Sequence, residues 1–571
     1  MKSGNAKAKY EGSRQCSQQI NDYFVDIHVN TDADPSPMVD PFPRTKSGSP
    51  THRGPEVATS PPNCHDNAAR FQIDQQTNVD NCVRTSMVLL SPPPGAKGAG
   101  VNSLHLVIRN ALVATASDTF PCDIGIRDGR IALLGAGLPA GDREIDARGR
   151  TVTPGGVDAH CHLDQPMDGP ARMADDFITG TRSAACGGTT TVIPFAAQAK
   201  GQSLAAAVQD YHARAEGKAA VDYAFHLIVS DPTPRVLAQE LPALIARGYT
   251  SFKVYMTYDD LKLDDGQMLD VLDVARQHGA MAMVHAENAD CIAWLTKRLE
   301  AAGRTAPRWH AQARPMLVER EATHRAIALS QLVDVPILIV HVSGREAIEQ
   351  IRWARAQGLQ VFAETCPQYL FLTAEDLGID DSYHGARCIC SPPPRDKGNQ
   401  EVIWNGLADG LFTVFSSDHA PFTYEGEHGK KPGGEEVAFR HIPNGIPGLE
   451  TRLPLLYSEG VLGGRITLQK FVELTATNPA KAYGLHPGKG TIAVGSDADL
   501  VVWDERELVL RNEQLHHAVD YTPYAGMRLK AWPGLTLSRG EVVWDGQSFT
   551  GRAGHGRFLP CGQPSLLPRR A

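Results

Sequence analysis

The middle of the chain alternates between short apolar runs and stretches with the apolar period of a helix. TTTVIPF, AFHLIVS, SFKVYM and PILIVHVSG are such runs, and helical stretches such as LAQELPALIARG and REAIEQIRWARAQG lie between them. Repeated units of this length predict a parallel sheet with helical crossovers. About eight units between Thr153 and Leu485 favour a closed (β/α)8 barrel, with an open doubly wound sheet as the alternative. No early strand is followed by G-x-G-x-x-G, which argues against the open sheet.

Short strands of a different kind flank this region on both sides. LHLVIRNALVAT and CDIGIRDGRIALLG precede it, and the second contains the Asp-Gly signal of a hairpin. GTIAVGSDADLVVWD and LTLSRGEVVWDG follow it with the same pattern. We therefore predict an α/β protein with a TIM-like barrel at residues 153–484 and a small β-sandwich domain built from residues 103–152 and 485–546.

The two ends of the chain lack a sustained apolar period. Residues 1–102 are rich in Pro, Ser, Asn, Asp and Gln and end near SPPPGAKGAG, so we expect a disordered extension. It could also be an artefact of start-site choice, with Met87 or the region near Val101 as the true beginning. Residues 547–571 contain turn-forming glycines and are compatible with an arm that reaches across an oligomer.

Composition excludes several classes of protein. A net charge of -9 with 21% charged residues indicates a mildly acidic surface and argues against nucleic-acid binding. The 11 cysteines are scattered without C-x-x-C pairs, which favours reduced thiols. The start has no signal-peptide pattern, and no run approaches the roughly 20 apolar residues of a membrane span. We expect a cytoplasmic protein that does not bind membranes.

Histidines end the first predicted barrel strand. GGVDAHCHLD places His160 and His162 two residues apart, so both imidazoles point to the same side of the strand and can share one metal ion. A lone H-x-H is a weak motif, because two ordinary surface or core histidines produce it as well. Its position at the end of a barrel strand gives it weight, since active sites form at that end.

Four later strands also deliver polar residues to this end of the barrel. They are Lys253 in SFKVYM, His285 in MVHAEN, His341 in LIVHVSG and Asp418 in FTVFSSDHAP. Each has an ordinary explanation alone: a satisfied core histidine, a helix N-cap or a lysine that reaches solvent. Together they would be costly to bury without partners, and a shared ion site explains them all.

The number of candidate ligands indicates more than one ion. Four histidines, an aspartate and a lysine exceed one tetrahedral shell and suit two ions about 3.5 to 4 Å apart. An ammonium group cannot bind a cation, so Lys253 must be neutral or chemically converted. Reaction with carbon dioxide would give an N6-carboxylysine, a carbamate able to bridge both ions like a carboxylate.

At this point the chain resembles the hydantoinase and dihydropyrimidinase branch of the cyclic amidohydrolases, which are metal-dependent hydrolases. The likeness runs from about Leu104 to near Phe558. It rests on ordered motifs that include GGVDAHCHLD, DDFITGTRSAACGGTTTVIPF, SFKVYMTY, MVHAEN, VHVSG, ETCPQYLFLT, CSPPPR, SSDHAPF, FRHIPNGIPGLETRL and GTIAVGSDADLVVWD. Two positions depart from it: Ala420 stands where cysteine is usual, and Cys161 where threonine is common.

The resemblance implies a binuclear metal centre. His160, His162 and Asp418 would hold the more buried ion, and His285 and His341 would hold the second. The lysine carbamate would bridge the two. Zinc is favoured by a histidine-rich shell, and manganese or cobalt can substitute.

The resemblance also implies roles in substrate binding and catalysis. Tyr258 would hydrogen-bond the developing oxyanion, and Asp418 would move the proton to the leaving ring nitrogen. Ser391 in CSPPPR and Asn444 in IPNGIPG match positions whose main-chain groups hold the ring amide or imide. The expected reaction opens 5-substituted hydantoins or dihydropyrimidines to N-carbamoyl amino acids.

Alternatives remain within this superfamily. Dihydroorotases usually carry an arginine where this chain has Asp164, which disfavours an acidic substrate. An allantoinase and a catalytically inactive dihydropyrimidinase-like scaffold both remain open, although all six candidate ligands are present. The resemblance further implies a homotetramer, with a homodimer as the alternative.

Overall fold

The computed structural model describes residues 103–167 and 169–567, so the extension expected at residues 1–102 lies outside the described part. The strands are β1 (Leu104–Ala114), β2 (Thr119–Arg127), β3 (Arg130–Gly135), β4 (Gly141–Asp146), β5 (Thr151–Pro154), β6 (Gly156–Cys161), β7 (Thr189–Ala197), β8 (Asp222–Tyr223), β9 (His226–Ile228), β10 (Ser251–Tyr255), β11 (Met281–His285), β12 (Ile337–Ile339), β13 (Val361–Thr365), β14 (Val414–Phe415), β15 (Leu500–Asp504), β16 (Leu508–Val509), β17 (Arg528–Leu529), β18 (Trp532–Ser538) and β19 (Glu541–Trp544).

Helices connect most of the central strands. The α-helices are Thr179–Cys186, Leu204–Ala215, Leu241–Ala246, Asp265–His278, Ala289–Ala301, His310–Ala313, Met316–Val333, Arg345–Ala356, Gln368–Phe371, Lys397–Ala408, Arg452–Leu455, Leu468–Val472 and Asn478–Ala482. π-helical turns adjoin them at Val236–Glu240, Leu456–Val461 and Glu473–Thr477. Short 3₁₀ turns lie at Pro307–Trp309, Ala374–Leu377, Tyr383–Cys388, Pro432–Gly434, Phe439–His441 and Asn512–Gln514. No helix of the described residues is both long and apolar enough to span a membrane.

Eight parallel strands form the predicted barrel. They follow one another in the order β6, β7, β9, β10, β11, β12, β13 and β14, and β8 pairs with β7 at the side. The ends of this sheet meet where the His162 N–H donates to the His419 carbonyl at 2.7 Å. A parallel bridge between Cys161 and His419 lies beside that bond. The prediction of a TIM-like barrel is therefore confirmed, and the open sheet is not observed.

Strand β11 illustrates how the sequence positions a site residue. The preceding helix begins with a capping box, in which the Asp264 side chain accepts from the Gln267 N–H at 2.8 Å. It ends at Gly279, whose φ of 64° is the left-handed conformation that stops helices. Every residue of β11 is buried, as expected for a strand covered on both faces. Its last residue, His285, therefore emerges at the carboxyl end of the barrel.

The two flanking segments build one small β domain, as predicted, although eight of their strands lie in a single sheet and not in the two sheets of a sandwich. Its strand order is β19, β18, β15, β5, β1, β2 and β3, with β4 paired to β1. The N-terminal and C-terminal parts meet where Val152 of β5 lies opposite Val502 of β15 in antiparallel register. The hairpin between β2 and β3 turns at Asp128 and Gly129, both at positive φ, as its Asp-Gly signal predicted.

Two features attach outer segments to the barrel. Lys489 is buried among three carboxylates, with its Nζ 2.7 Å from Asp222 of β8 and 2.7 and 3.0 Å from Asp499 and Asp497, which precede β15. The C-terminal tail crosses the amino ends of the barrel strands. Its contacts there are N–H donations from Leu559 to Tyr223, from Cys561 to Gly248 and from Gly562 to Gly484. Up to residue 567 the tail therefore packs against its own barrel, and an arm to another subunit stays a prediction.

Candidate active site

A cavity of about 1160 Å³ opens at the carboxyl ends of the barrel strands. Its wall contains eight of the nine site residues expected from the sequence: His162, Lys253, Tyr258, His285, His341, Ser391, Asp418 and Asn444. The ninth, His160, is fully buried. The distance from its Nε2 to the Nζ of Lys253 is 2.8 Å. The fold therefore brings all nine residues into one region.

His160, His162 and Asp418 converge at one side of this region. The Nε2 atoms of the two histidines lie 3.2 and 3.6 Å from Asp418 Oδ1. Asp418 follows β14 by three residues, and its backbone is left-handed, with φ of 49°. That turn directs the carboxylate back toward β6, where the side chains of His160 and His162 emerge.

His285 and His341 form the second pair. His285 Nδ1 and His341 Nε2 are 2.9 Å apart, and the ring centroids are separated by 4.4 Å. His285 ends β11 as expected, whereas His341 lies two residues beyond β12, at a φ of 37°. The sequence pattern placed His341 inside a strand because the apolar run LIV continues up to it.

Carboxylates hold the outward-facing nitrogens of these histidines. Glu364 Oε1 lies 2.6 Å from His160 Nδ1 and accepts the backbone N–H of His341 at 3.1 Å. Glu287 Oε2 lies 2.8 Å from His285 Nε2. A carboxylate on one ring nitrogen fixes the tautomer and turns the other nitrogen toward a metal, which is the usual arrangement around metal-binding histidines. Gln165 supplies the same kind of contact to His162 Nδ1, at 2.7 Å.

Burial favours the neutral form of three of these histidines, His160, His285 and His341. It lowers the pKa of His160 and of His341 well below the usual value, and neighbouring positive groups add to the effect. Burial opposes ionisation of Asp418, but His160, His162 and Lys253 together hold the pKa of this carboxyl below its ordinary value. The cluster therefore offers unprotonated imidazoles and an ionised carboxylate, which is the state that metal ligands must adopt.

Lys253 is buried in surroundings that disfavour a positive charge on its amine. It is 1% exposed, and its Nζ lies 4.7 Å from the centre of the Phe195 ring and 4.8 Å from that of Tyr255. Burial lowers the pKa of Lys253 to about 8. The amine is thus neutral far more often than that of a surface lysine, as the carbamate hypothesis requires.

The donor set fits divalent metal ions. The ligand atoms of His160, His162 and Asp418 all lie within 4.8 Å of one another. His285 and His341 present a second pair of nitrogens across Lys253, and neutral imidazoles with a carboxylate are ligands that zinc accepts readily.

Tyr258 lines the cavity beside His285, and the two ring centroids are 5.5 Å apart. Its hydroxyl lies 3.5 Å from Asn444 Nδ2, which donates to it, so the hydroxyl hydrogen is free to point into the cavity. Burial raises the pKa of Tyr258 to about 12, and the guanidinium of Arg314 partly opposes this shift. Tyr258 therefore remains a protonated donor at any pH near neutrality.

Ser391 connects this region to His285. Its Oγ donates to Glu287 Oε2 at 2.7 Å, and Arg314 donates to the same oxygen at 2.9 Å. One carboxylate oxygen therefore joins a candidate metal ligand, a candidate substrate loop and a buried guanidinium. These groups can move only together.

Two residues of the site, Glu287 and Glu364, were not predicted from the sequence. Both were inside recognised motifs, MVHAEN and ETCPQYLFLT, but neither was given a role. Glu364 carried a usable signal, because an acidic residue near the end of the apolar strand β13 is the same anomaly that drew attention to Lys253. Glu287 gave a weaker one, since it follows β11 by two residues in a loop.

Comparisons with known proteins identify the family of this chain. The sequence profile of the Amidohydrolase family matches residues 151–543. D-hydantoinase from Ralstonia pickettii is 46% identical over 458 residues, which is 80% of this chain and 98% of that protein. A solved D-hydantoinase structure is 45% identical and superposes with a TM-score of 0.78, covering 80% of this chain and 99% of that one.

A second solved structure points the same way. Dihydropyrimidinase from Brevibacillus agri NCHU1002 is 43% identical, with a TM-score of 0.77 over 81% of this chain and 99% of that one. These relatives are matched almost end to end, and the matched region contains the whole cavity. The chain therefore belongs to the amidohydrolase family, in its hydantoinase and dihydropyrimidinase branch.

Proposed function

We propose that this chain hydrolyses the ring amide of five- or six-membered cyclic ureides, 5-substituted hydantoins or dihydropyrimidines, and releases N-carbamoyl amino acids. The observation that carries the proposal is the convergence of four histidines, Asp418, Lys253 and Tyr258 around one cavity. The names of the matched relatives, D-hydantoinase and dihydropyrimidinase, support the same class of substrate.

Two divalent ions would complete this site, with zinc as the first choice and manganese or cobalt as substitutes. His160, His162 and Asp418 would hold one ion, and His285 and His341 the other. When bound, such a pair lowers the pKa of water toward neutrality and polarises a carbonyl oxygen.

Lys253 would bridge the ions as a carbamate. The neutral amine attacks carbon dioxide, a new N–C bond forms, and one proton leaves to solvent. The product is an anion with two oxygen donors in place of an ammonium group. The low pKa of Lys253 supports this step, because burial supplies the neutral amine that the reaction consumes.

The side chains around the substrate divide the remaining work. The Tyr258 hydroxyl donates a hydrogen bond to the carbonyl oxygen as that oxygen gains negative charge. Asp418 accepts the proton of the attacking water and delivers it to the ring nitrogen as the C–N bond breaks. The main-chain groups of Ser391 and Asn444 hold the ring amide, and both residues line the cavity.

We further propose a cytoplasmic homotetramer, with a homodimer as the alternative, and no nucleic-acid or membrane partner. The acidic net charge of -9 supports the absence of nucleic-acid binding. Light scattering on the purified full-length protein would give the subunit number directly.

A substrate panel tests the proposed activity. Zinc-loaded protein is incubated with dihydrouracil, hydantoin, 5-phenylhydantoin, allantoin and dihydroorotate, and the ring-opened products are identified. Turnover of dihydrouracil or of the hydantoins is the expected result. Turnover of allantoin alone would make the protein an allantoinase, and a metal-loaded protein that is silent on all five would contradict the proposal. An inactive scaffold would bind no metal at all, so metal analysis separates that alternative.

A further inference from the structure

Lys430 is a second buried lysine, and it lies outside the metal cluster. It is fully buried, and its ammonium group donates to three backbone carbonyls, those of Ile389, Pro443 and Gly445, at 2.9, 2.7 and 2.6 Å. Among the described residues no carboxylate lies within 4.0 Å of its Nζ. Burial lowers the pKa of Lys430 to about 7, and in the protonated form each of its three hydrogens bonds one main-chain oxygen.

These carbonyls belong to the two segments proposed to hold the substrate ring. Ile389 precedes Ser391 by two residues, and Pro443 and Gly445 flank Asn444 directly. The segments also contact each other, because the Gly445 N–H donates to the Ile389 carbonyl at 3.0 Å. Lys430 therefore joins segment 389–391 to segment 443–445 just behind the cavity wall.

Two hydrogen bonds hold the main chain of Lys430 in place. Its N–H donates to the Thr423 carbonyl at 2.7 Å, and its carbonyl accepts the Tyr383 hydroxyl at 2.6 Å. The side chain does not line the cavity, whereas Ser391, Asn444 and Gly445 do. Lys430 can thus reach a substrate only through the two segments.

An ammonium group is the side chain suited to this place. It is a single atom with three donors, so it can satisfy three converging carbonyls at once. A side chain without donors would take this partner from the carbonyls of Pro443 and Gly445 and would leave the Ile389 carbonyl with the Gly445 N–H alone. The spacing of the two segments would change as a result.

We propose that Lys430 is a positioning residue for substrate binding, which holds segments 389–391 and 443–445 at the spacing that the ring amide requires. This inference rests on the proposed function, because the ring is what the two segments would grip. It assigns Lys430 no contact with the substrate and no part in proton transfer.

The test compares Lys430→Met, which keeps the length of the side chain but has no donors, with Lys430→Gln, which keeps two. Lys431→Met is the matched control, because this neighbouring lysine pairs with Glu425 at the surface. For Lys430→Met we expect KM for a turned-over ring substrate to rise at least tenfold while kcat stays within threefold and metal content is unchanged. Lys430→Gln should show a smaller rise in KM, and Lys431→Met none.

Hydrogen exchange supplies a readout that needs no substrate. The Gly445 amide should exchange at least tenfold faster in Lys430→Met, because its bond to the Ile389 carbonyl loses support. If Lys430→Met does not fold, Lys430→Gln decides. A folded variant with KM within twofold of the unsubstituted protein, a loss confined to kcat, or unchanged exchange would overturn the proposal. If the unsubstituted protein hydrolyses none of the rings, the proposed function fails, and exchange still tests the link between the segments.

Discussion

Asp418 combines two demands in one side chain. Its Oδ1 faces the Nε2 atoms of His160 and His162, which hold the carboxyl ionised although it is buried. An ionised carboxylate beside the substrate cavity can accept a proton, whereas an amide of the same shape cannot. The same residue can therefore serve as a metal ligand and as the base.

Asp418→Asn should remove turnover and leave the fold intact. We expect kcat/KM to fall about 10³-fold or more, because the general base is lost. Thermal unfolding should shift by only a few degrees. Asp409→Asn, in which an exposed carboxylate changes, is the control. A metal-loaded Asp418→Asn protein with normal turnover would show that another group moves the proton.

Tyr258→Phe tests the oxyanion donor. We expect kcat to fall about 10²- to 10³-fold with little change in KM, because the hydroxyl acts mainly on the charged transition state. Burial raises the pKa of Tyr258 to about 12, so the donor is protonated below that pH and is lost only as the pH rises through it. The ratio of kcat in the unsubstituted protein to kcat in Tyr258→Phe should therefore be constant from pH 7 to about pH 10.

The control for this prediction is Tyr255→Phe. Tyr255 lines the same cavity, and its ring centre lies 6.1 Å from that of Tyr258. Its loss of a hydroxyl should change kcat by less than about threefold, since the proposed donor is unaffected. Equal losses in the two variants would contradict the assignment of Tyr258.

At the residue scale, the sequence predicted those site residues whose direction is set by the geometry of a strand. His160, His285 and Lys253 lie on strands, where alternation determines the side to which each side chain points. The partners of these residues were not predictable in this way. Lys430 is 177 residues beyond Lys253 in the chain and is buried only because loops distant in sequence converge on it.

At the scale of elements, Glu364 connects the ends of several strands. It is the penultimate residue of β13. Its two oxygens contact His160 of β6, the backbone of His341 after β12, and Ser416 after β14, the last at 3.0 Å. Burial raises the pKa of this carboxyl, and the His341 N–H and Lys253 oppose the shift. One side chain thus aligns ligands that come from separate strands.

Glu364→Gln should weaken metal binding. We expect metal affinity to fall about 10- to 100-fold, because the amide cannot accept from His160 as a carboxylate does. Metal content after dialysis against increasing chelator measures this change. Glu375→Gln, an exposed position in the following turn, is the control. Unchanged metal retention in Glu364→Gln would mean that the contact to His160 is dispensable.

The elements themselves were largely predictable, and the loops were not. Apolar runs predicted the barrel strands, because burial on both faces leaves little choice of residue. Ser391 and Asn444 lie in irregular segments without a period, and only the family resemblance identified them. Their place in the cavity wall depends on packing between loops distant in sequence.

For the whole molecule, the attachment of the outer sheet depends on Lys489. The side chain is 3% exposed and lies within 3.0 Å of three carboxylates, from Asp222 in the barrel and from Asp497 and Asp499 beside the sheet. Removing the cation would leave three buried carboxylates without their common partner, which is unfavourable in a low dielectric.

Lys489→Met should lower the free energy of unfolding by about 3 to 5 kcal/mol. kcat/KM below the unfolding transition should stay within about threefold of normal, because the cluster lies away from the cavity. Lys470→Met removes a partly exposed pair with Glu473 and should cost less than about 1 kcal/mol. Chemical denaturation of the three proteins measures these differences, and equal stability would contradict the role of Lys489.

At this largest scale, the meeting of the two chain ends was predictable from their shared pattern of short strands. The antiparallel match of Val152 with Val502 is the result. The ion cluster was not predictable, because Asp222 and Lys489 are far apart in the sequence and each looks like an ordinary surface residue. Long-range charge pairing leaves no periodic trace.

The tail that crosses the amino ends of the strands offers a site for immobilising the protein. Leu559 and Cys561 bond to the barrel on the face opposite the cavity. Protein immobilised on a resin through this end of the chain would turn its open mouth toward the flowing solution. Removing the residues after Gly551 would instead uncover the backbone groups of Tyr223 and Gly248, so a shortened catalyst should lose operational lifetime in a packed column before it loses its chemistry.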